Sequence, residues 1–188
     1  IPYNETKNLF GWEWQQPAMT KGGIRHIQVF ALRPGIIKAN DELEGIILKG
    51  VDTDFDWQFM QQYLQEGEPL ALQDSTTSDQ ILLSKQTAAR LKVGVGDKFR
   101  VYFVEQGETL RRSFTVCGLY KTGLEEYDRQ FALVDIKRIQ QLLGWSADQV
   151  GGFEVFLDDI HDLEPFSEYI YYDKLPNSLY AETIRQKL

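Results

Sequence analysis

The sequence contains very little cysteine and histidine, with one Cys and two His among 188 residues. A single cysteine cannot form a disulfide bond within the chain, and Cys117 lies in an apolar run that is typical of a buried structural thiol. His26 and His161 are far apart, and no CxxC or HExxH motif accompanies them, so neither zinc nor iron has a recognisable ligand set. We expect His26 to be a hydrogen-bonded residue of a strand.

Long apolar runs and clusters of positive charge are also absent. The chain nowhere approaches the roughly 18 consecutive apolar residues of a membrane helix, and no basic cluster is longer than Arg111-Arg112. The net charge is -8, and the segment from Asp148 to Asp173 holds eight carboxylates without a Lys or Arg. This composition argues against nucleic acid as a partner. We expect the acidic segment to be a solvated face, with a surface for a basic partner as the alternative.

The length and the first residue suggest a piece of something larger. A chain of 188 residues fits one compact domain or two small intertwined ones. It begins at Ile1 rather than at a methionine and has no signal-peptide pattern. We therefore expect a soluble piece of a longer protein.

Alternating apolar residues and helix-capping residues predict an α+β fold with a mixed sheet, because strands and helices interleave without a strict βαβ rhythm. Pro34-Gly35 is expected to end the first strand, and residues 122–128 to form a loop or single turn. Asp54, Ser84 and Asp135 are expected to cap helices, and Gly144 to end the helix that Asp135 begins. Strands are predicted at 24–32, 44–51, 80–83, 98–105, 110–120, 131–134 and 153–157. Helices are predicted at 55–65, 85–91, 136–143, 163–171 and 179–188.

An acidic triplet, Asp52, Asp54 and Asp56, matches the first positions of a calcium-binding EF-hand loop. The match ends there, because Trp57 occupies the position of the turn glycine and Tyr63 that of the bidentate glutamate. We prefer helix capping as the role of these aspartates.

Sequence motifs for nucleotide binding and nucleophilic catalysis are missing. Gly94-Val-Gly96 lacks the third glycine of a dinucleotide loop, and no phosphate-binding loop or Gly-x-Ser-x-Gly elbow occurs. The carboxylate pairs Glu125-Glu126 and Asp158-Asp159 are expected to be solvated charge. Nothing in these residues requires an enzyme or a cofactor.

A succession of turns and strands nevertheless has a familiar order. Its parts are Ile81-Leu-Leu-Ser-Lys85, Leu91-Lys-Val-Gly-Val-Gly-Asp97, Phe114-Thr-Val-Cys-Gly-Leu-Tyr-Lys-Thr-Gly123 and Glu126-Tyr-Asp128. Each part is weak alone, but their order and spacing resemble the extracytoplasmic domain of FtsX-like ABC transporter permeases. The likeness is to the MacB-like periplasmic core domain, as carried by lipoprotein-releasing permeases of the LolC/LolE type.

The resemblance implies a place at the inner membrane, with this domain facing the periplasm. It implies a mixed α/β Porter-like subdomain from residues 1–82 and 145–188 and an inserted, mostly β Sabre-like subdomain from residues 83–144. The implied partners are a cytoplasmic ABC ATPase, a second permease copy in a homo- or heterodimer, and a periplasmic protein or lipoprotein. The work outside the membrane would be mechanical, so no catalytic residue, metal or cofactor is expected.

The resemblance also marks a hairpin turn as the candidate partner-binding site. The turn consists of Glu105, Gln106, Gly107, Glu108, Thr109 and Leu110. Permeases that dock a periplasmic carrier have a long arm here, and the shortness of this turn argues against carrier docking.

The main hypothesis is therefore the periplasmic domain of an ABC permease that couples ATP hydrolysis mechanically to export or lipoprotein handling. One alternative is a peptide- or lipid-binding module that uses exposed aromatic residues, namely Trp12, Trp14, Tyr171 and Tyr172. Trp57 and Trp145 are assigned to packing instead. A less favoured alternative is a small hydrolase that uses the carboxylates of Glu126 and Asp128.

Overall fold

The computed structural model describes residues 20–175 and 177–187. The chain divides into two compact units, a terminal unit formed by Ile1–Ile27 and Phe153–Leu188 and a central unit formed by Gln28–Gly152. In the part of the chain that is described, no helix has the length and apolar character needed to cross a membrane.

Strands and helices interleave along the chain, and the predicted α+β class with a mixed sheet is confirmed. The strands are β1 (Ile24–Ala39), β2 (Glu42–Val51), β3 (Leu64–Gly67), β4 (Gln80–Ser84), β5 (Lys98–Glu105), β6 (Glu108–Tyr120), β7 (Phe131–Asp135) and β8 (Gly152–Leu157). The helices are α1 (Trp57–Gln61), α2 (Lys85–Leu91), α3 (Glu125–Gln130), α4 (Ile136–Leu143), α5 (Leu163–Tyr169) and α6 (Ile184–Lys187). A 3₁₀ turn, Ile160–Asp162, precedes α5, and a π-helical turn, Ile170–Lys174, follows it.

Six strands of the central unit pair in a closed circuit. β1 pairs antiparallel with β2, β2 parallel with β7, and β7 antiparallel with β4. β4 then pairs parallel with β6, β6 antiparallel with β5, and β5 antiparallel with β1 at residues 36–38. Because the last pairing returns to the first strand, the sheet closes on itself.

The circuit encloses an apolar core because alternate residues of each strand face inward. Ile37 of β1, Val101 and Phe103 of β5, and Phe114 of β6 are at most 1% exposed. A second buried cluster contains Met60, Leu82, Cys117, Tyr120 and Leu133, among others. Trp57 packs against that second cluster, which confirms its predicted packing role.

Helix caps lie at two of the predicted positions. The Ser84 side chain accepts a hydrogen bond from the Thr87 N–H at the start of α2, and the Asp135 side chain accepts one from the Lys137 N–H at the start of α4. Gly144 ends α4 in the left-handed conformation, with a φ of 65°. These caps were readable from sequence because they depend only on neighbouring residues.

The terminal unit contains a strand joined to a helical segment. In it, the Asp158 N–H donates to the Gly23 carbonyl at 3.0 Å. The buried Asp162 carboxylate accepts hydrogen bonds from the N–H groups of Lys21 and Gly22, both at 2.8 Å. Asp162 therefore anchors the segment that leads into β1.

Two predicted element ends are wrong, and tertiary pairing explains both. β1 continues through Pro34 to Ala39 because its partner β2 follows it along this length, and the β5 register includes only residues 36–38. Pro34 lies opposite Ile47 in the pairing with β2 and outside the pairing with β5. The predicted helix at 55–65 stops at Gln61, because residues 64–67 pair with β6 instead.

Two further segments differ from prediction. Residues 125–128 of the predicted loop or single turn belong to α3, whose first turn carries Glu125 and Glu126 at the positive end of the helix dipole. The predicted helix at 179–188 is reduced in the described residues to α6. Tyr180 and Ile184 are 72% and 58% exposed, and a helix without a buried apolar face gains little stability.

The compact units do not coincide with the predicted subdomain boundaries at residues 82/83 and 144/145. The strand circuit uses β1, β2 and most of β4 from before residue 83 together with β5, β6 and β7 from after it. The observed unit boundaries lie at 27/28 and 152/153. The assignment of Porter-like and Sabre-like subdomains stays a prediction.

The Cys117 thiol should react very slowly in the folded chain. Burial raises its pKa from 9.0 to about 11, so at pH 8 the thiolate fraction is about a hundredfold lower than in the unfolded chain. We expect labelling by a chromogenic disulfide reagent to be at least 100-fold slower in buffer than in urea. Rates within tenfold of each other would contradict a buried thiol.

Candidate functional site

The predicted partner-binding turn is the tip of the β5–β6 hairpin. The two strands pair up to Glu105 and Glu108, leaving a two-residue turn of Gln106 and Gly107. Both turn residues have positive φ, 47° and 84°, which is the geometry that matches the twist of a tight hairpin. The hairpin therefore ends without an additional projecting arm.

A neighbouring strand braces the base of this tip. The Arg33 guanidinium of β1 contacts the Glu105 carboxylate at 2.6 Å and donates to the Val104 carbonyl at 3.2 Å. The Arg33 side chain is 17% exposed and its guanidinium lies 6.0 Å from the centre of the Phe103 ring. Partial burial of the pair reduces screening by solvent, so this contact holds the tip more firmly than a surface ion pair would.

The tip presents mainly polar groups to solvent. Gln106, Gly107, Glu108 and Thr109 are exposed, while Glu105 and Leu110 are half-buried. Hydroxyl and carboxylate groups on a braced two-residue turn can accept hydrogen bonds from a partner. They form no cavity and no set of groups for catalysis.

The two carboxylates considered for hydrolysis lie in different environments. Asp128 is 4% exposed, and its oxygens accept from the Thr122 hydroxyl at 2.6 Å, the Thr122 N–H at 3.2 Å and the Gly123 N–H at 3.3 Å. Glu126 is 74% exposed and contacts Arg129 at 3.4 Å. Asp128 thus holds the loop after β6, because its carboxylate accepts hydrogen bonds from the backbone and side chain of that loop.

The acidic triplet is likewise used by the backbone. Asp56, rather than the predicted Asp54, caps α1 by accepting from the Phe59 N–H at 3.0 Å. Asp54 accepts from the Val29 N–H at 3.0 Å, and Asp52 accepts from the Thr53 N–H at 2.8 Å. Within the described residues, no group of three or more His, Cys, Asp or Glu side chains is arranged to hold a metal ion.

The exposed aromatic residues are only partly within the described chain. Tyr171 and Tyr172 are 48% and 77% exposed, and their ring centres lie 5.0 Å apart in an edge-to-face arrangement. Trp12 and Trp14 lie outside the described residues. The binding-module alternative therefore retains one exposed tyrosine pair.

Solved structures of transporter domains share this fold. The extracellular domain of the noncanonic ABC-type transporter YknZ from Gram-positive bacteria matches with a TM-score of 0.58 and 14% identity, covering 89% of this chain and 78% of that one. The periplasmic region of MacB from Actinobacillus actinomycetemcomitans matches with a TM-score of 0.55 and 12% identity, covering 90% and 72%. The fold is that of extracytoplasmic domains of ABC-type transporters.

Sequence comparison identifies the family. The profile of the MacB-like periplasmic core domain matches residues 13–170, and the chain therefore belongs to this family. A relative, the lipoprotein-releasing system transmembrane protein LolC of Xylella fastidiosa (strain Temecula1), is 28% identical over 166 residues. That alignment covers 85% of this chain but 33% of the relative. The chain thus spans a third of the length of the curated relative that it matches.

The hairpin tip was predictable from the sequence, whereas the Arg33–Glu105 ion pair at its base was not. Arg33 and Glu105 are 72 positions apart, and no local pattern connects them. The predicted strand at 24–32 stops one residue before Arg33, so the predicted elements did not include this residue. The buried role of Asp128, by contrast, follows from nearby donors in a turn rich in glycine.

Asp128 and Glu126 should differ sharply in their effect on stability. Replacing Asp128→Ala removes the acceptor for two N–H groups and a hydroxyl, so we expect a loss of about 2–4 kcal/mol in unfolding free energy. Glu126→Ala is the matched control and should change it by less than about 0.5 kcal/mol. Urea denaturation followed by circular dichroism measures both, and equal effects would show that Asp128 does not hold the loop.

Proposed function

We propose that this chain is the part of an ABC permease that lies outside the inner membrane and couples cytoplasmic ATP hydrolysis to the handling of a substrate there. The observation that carries the proposal is the family match over residues 13–170. The name of the LolC relative makes lipoproteins the first substrate class to test. A cytoplasmic ATPase and a second permease copy are the proposed partners.

The architecture of the central unit supports a mechanical role. In a closed circuit each strand is bonded on both edges, so local bending breaks bonds to two neighbours. A displacement of one strand of the central unit is therefore passed to its neighbours on both sides.

We further propose that the hairpin tip, residues 105–110, contacts a partner outside the membrane. The tip is exposed, polar and braced by Arg33, so a partner would meet a preorganised surface and lose little binding energy to ordering it. A turn of two residues offers a small contact, which fits a transient partner better than a permanent one.

The coupling proposal is tested in the complete permease, reconstituted with its ATPase in proteoliposomes. Replacing residues 28–152 by a Gly-Ser linker should leave basal ATP hydrolysis measurable and reduce substrate release or export to background. Retention of the ATPase on the purified permease controls for assembly. Export at the wild-type rate by the shortened permease would refute the proposal.

The tip proposal is tested in the same transport assay with a double variant, Glu108→Ala and Thr109→Ala. We expect partner-dependent transport to fall about tenfold, corresponding to a loss of ~1.4 kcal/mol in binding. The matched control is Asp74→Ala with Thr76→Ala, because both residues lie on an exposed loop. If the two double variants behave alike, the tip is not a partner contact.

A further inference from the structure

Strand pairing assembles a cationic surface on the outer face of the central unit. The register of β1 and β5 places Lys38 directly opposite Arg100, and Lys98 lies two residues from Arg100 on the same face of β5. Arg111 of β6 lies opposite the next outward residue of β5, Tyr102. All four cations are exposed. With the apolar residues among them, Ile36, Tyr102 and Val104, they form what we call the basic face.

The basic face contains no negative charge. The outward positions are 32, 34, 36 and 38 of β1, 43, 45, 47 and 49 of β2, 98, 100, 102 and 104 of β5, and 109, 111, 113 and 115 of β6. All are described, and none is Asp or Glu. The carboxylates of these strands alternate to the other face, and three of them form ion pairs there. Glu42 contacts Lys92 at 3.0 Å, Glu44 contacts Arg90 at 2.8 Å, and Glu105 contacts Arg33 at 2.6 Å.

The cations of the basic face are therefore not neutralised within the described chain. No ion pair joins Lys38, Lys98, Arg100 or Arg111 to a described carboxylate. Like charges directly opposite each other on a sheet are destabilising, and Lys38 and Arg100 are such a pair. An anionic partner would relieve this repulsion.

Exposed aliphatic side chains accompany the charge. Ile36 is 46% exposed and Val104 is 70% exposed, both on the same face as the cations. The side chains are spread over the outer face of three strands and do not converge on a cavity. This distribution suits a broad anionic surface better than a small phosphate ligand, which needs converging donors.

We propose that the basic face binds the anionic phospholipid headgroups of the membrane surface. Each Lys or Arg near such a surface strengthens binding about fivefold, and exposed aliphatic side chains add affinity by entering the interface. The net charge of -8 disfavours other orientations, because the remaining surface is repelled by the same headgroups. The inference rests on the proposed function, since a permease domain is held within reach of a membrane.

Vesicle binding tests the inference with the 188-residue chain alone. The probes are phosphatidylcholine vesicles with and without about 40% phosphatidylglycerol, at about 50 mM and about 300 mM salt. We expect co-sedimentation with the anionic vesicles only, and markedly less of it at the higher salt. The variant Lys38→Gln with Arg100→Gln should bind about thirtyfold more weakly, because two of the four cations are lost.

A charge-matched variant, Lys85→Gln with Lys121→Gln, controls for net charge and should bind like the wild type. Both residues are exposed and lie outside the basic face. Because removal of Lys38 and Arg100 also removes their mutual repulsion, the test variant should be at least as stable as wild type in urea denaturation. Lost vesicle binding could then not be ascribed to unfolding.

Several outcomes would overturn the inference. Equal binding to neutral and anionic vesicles, or equal losses in the two variants, would show that the basic face is not responsible. Salt-sensitive binding of polyglutamate without any binding of vesicles would identify an acidic polypeptide as the partner instead. None of these results affects the transport assay of the complete permease, so the two proposals can fail separately.

Discussion

The structure depends on the pairing of β1 with both β2 and β5. β1 pairs with β2 over residues 31–39 and with β5 over residues 36–38, and the second pairing closes the circuit. Closure fixes which residues of every strand face inward, because alternation allows a strand only two faces. The buried Ile37 and the exposed Ile36 are adjacent in sequence, yet the circuit assigns one to the core and the other to the outer surface.

Features that depend on neighbouring residues were predictable from sequence. Alternation located seven of the strands, and Ser84 and Asp135 marked two helix starts through caps that reach only two or three residues along the chain. The errors occurred where distant partners outweigh local preference. Pro34 was expected to end a strand, but β2 continues alongside it. Residues 64 and 65 completed an apparent helical pattern, but β6 offers this segment a strand partner.

The candidate site also has one part that was predictable from the sequence and one part that was not. The position of the hairpin tip followed from a short turn between two alternating segments, and its two-residue form agrees with the positive φ of Gln106 and Gly107. The ion pair at its base was not predictable, since the Arg33–Glu105 contact bridges 72 positions. The family resemblance predicts a partner contact at the tip. The pairing of β5 with β6 and the contact between Arg33 of β1 and Glu105 hold the tip in place.

The net charge describes the chain as a whole but not the charge of each of its surfaces. The sequence shows no basic cluster longer than two residues, because Lys38, Lys98, Arg100 and Arg111 are separated along the chain. Register gathers them on one face, while alternation sends Glu42, Glu44 and Glu105 to the other face, where each contacts a cation. Electrostatic attraction falls off within about 8 Å at physiological salt, so a partner responds to this local face rather than to the total of -8. An acidic chain can therefore bind an anionic surface wherever strand pairing separates its charges.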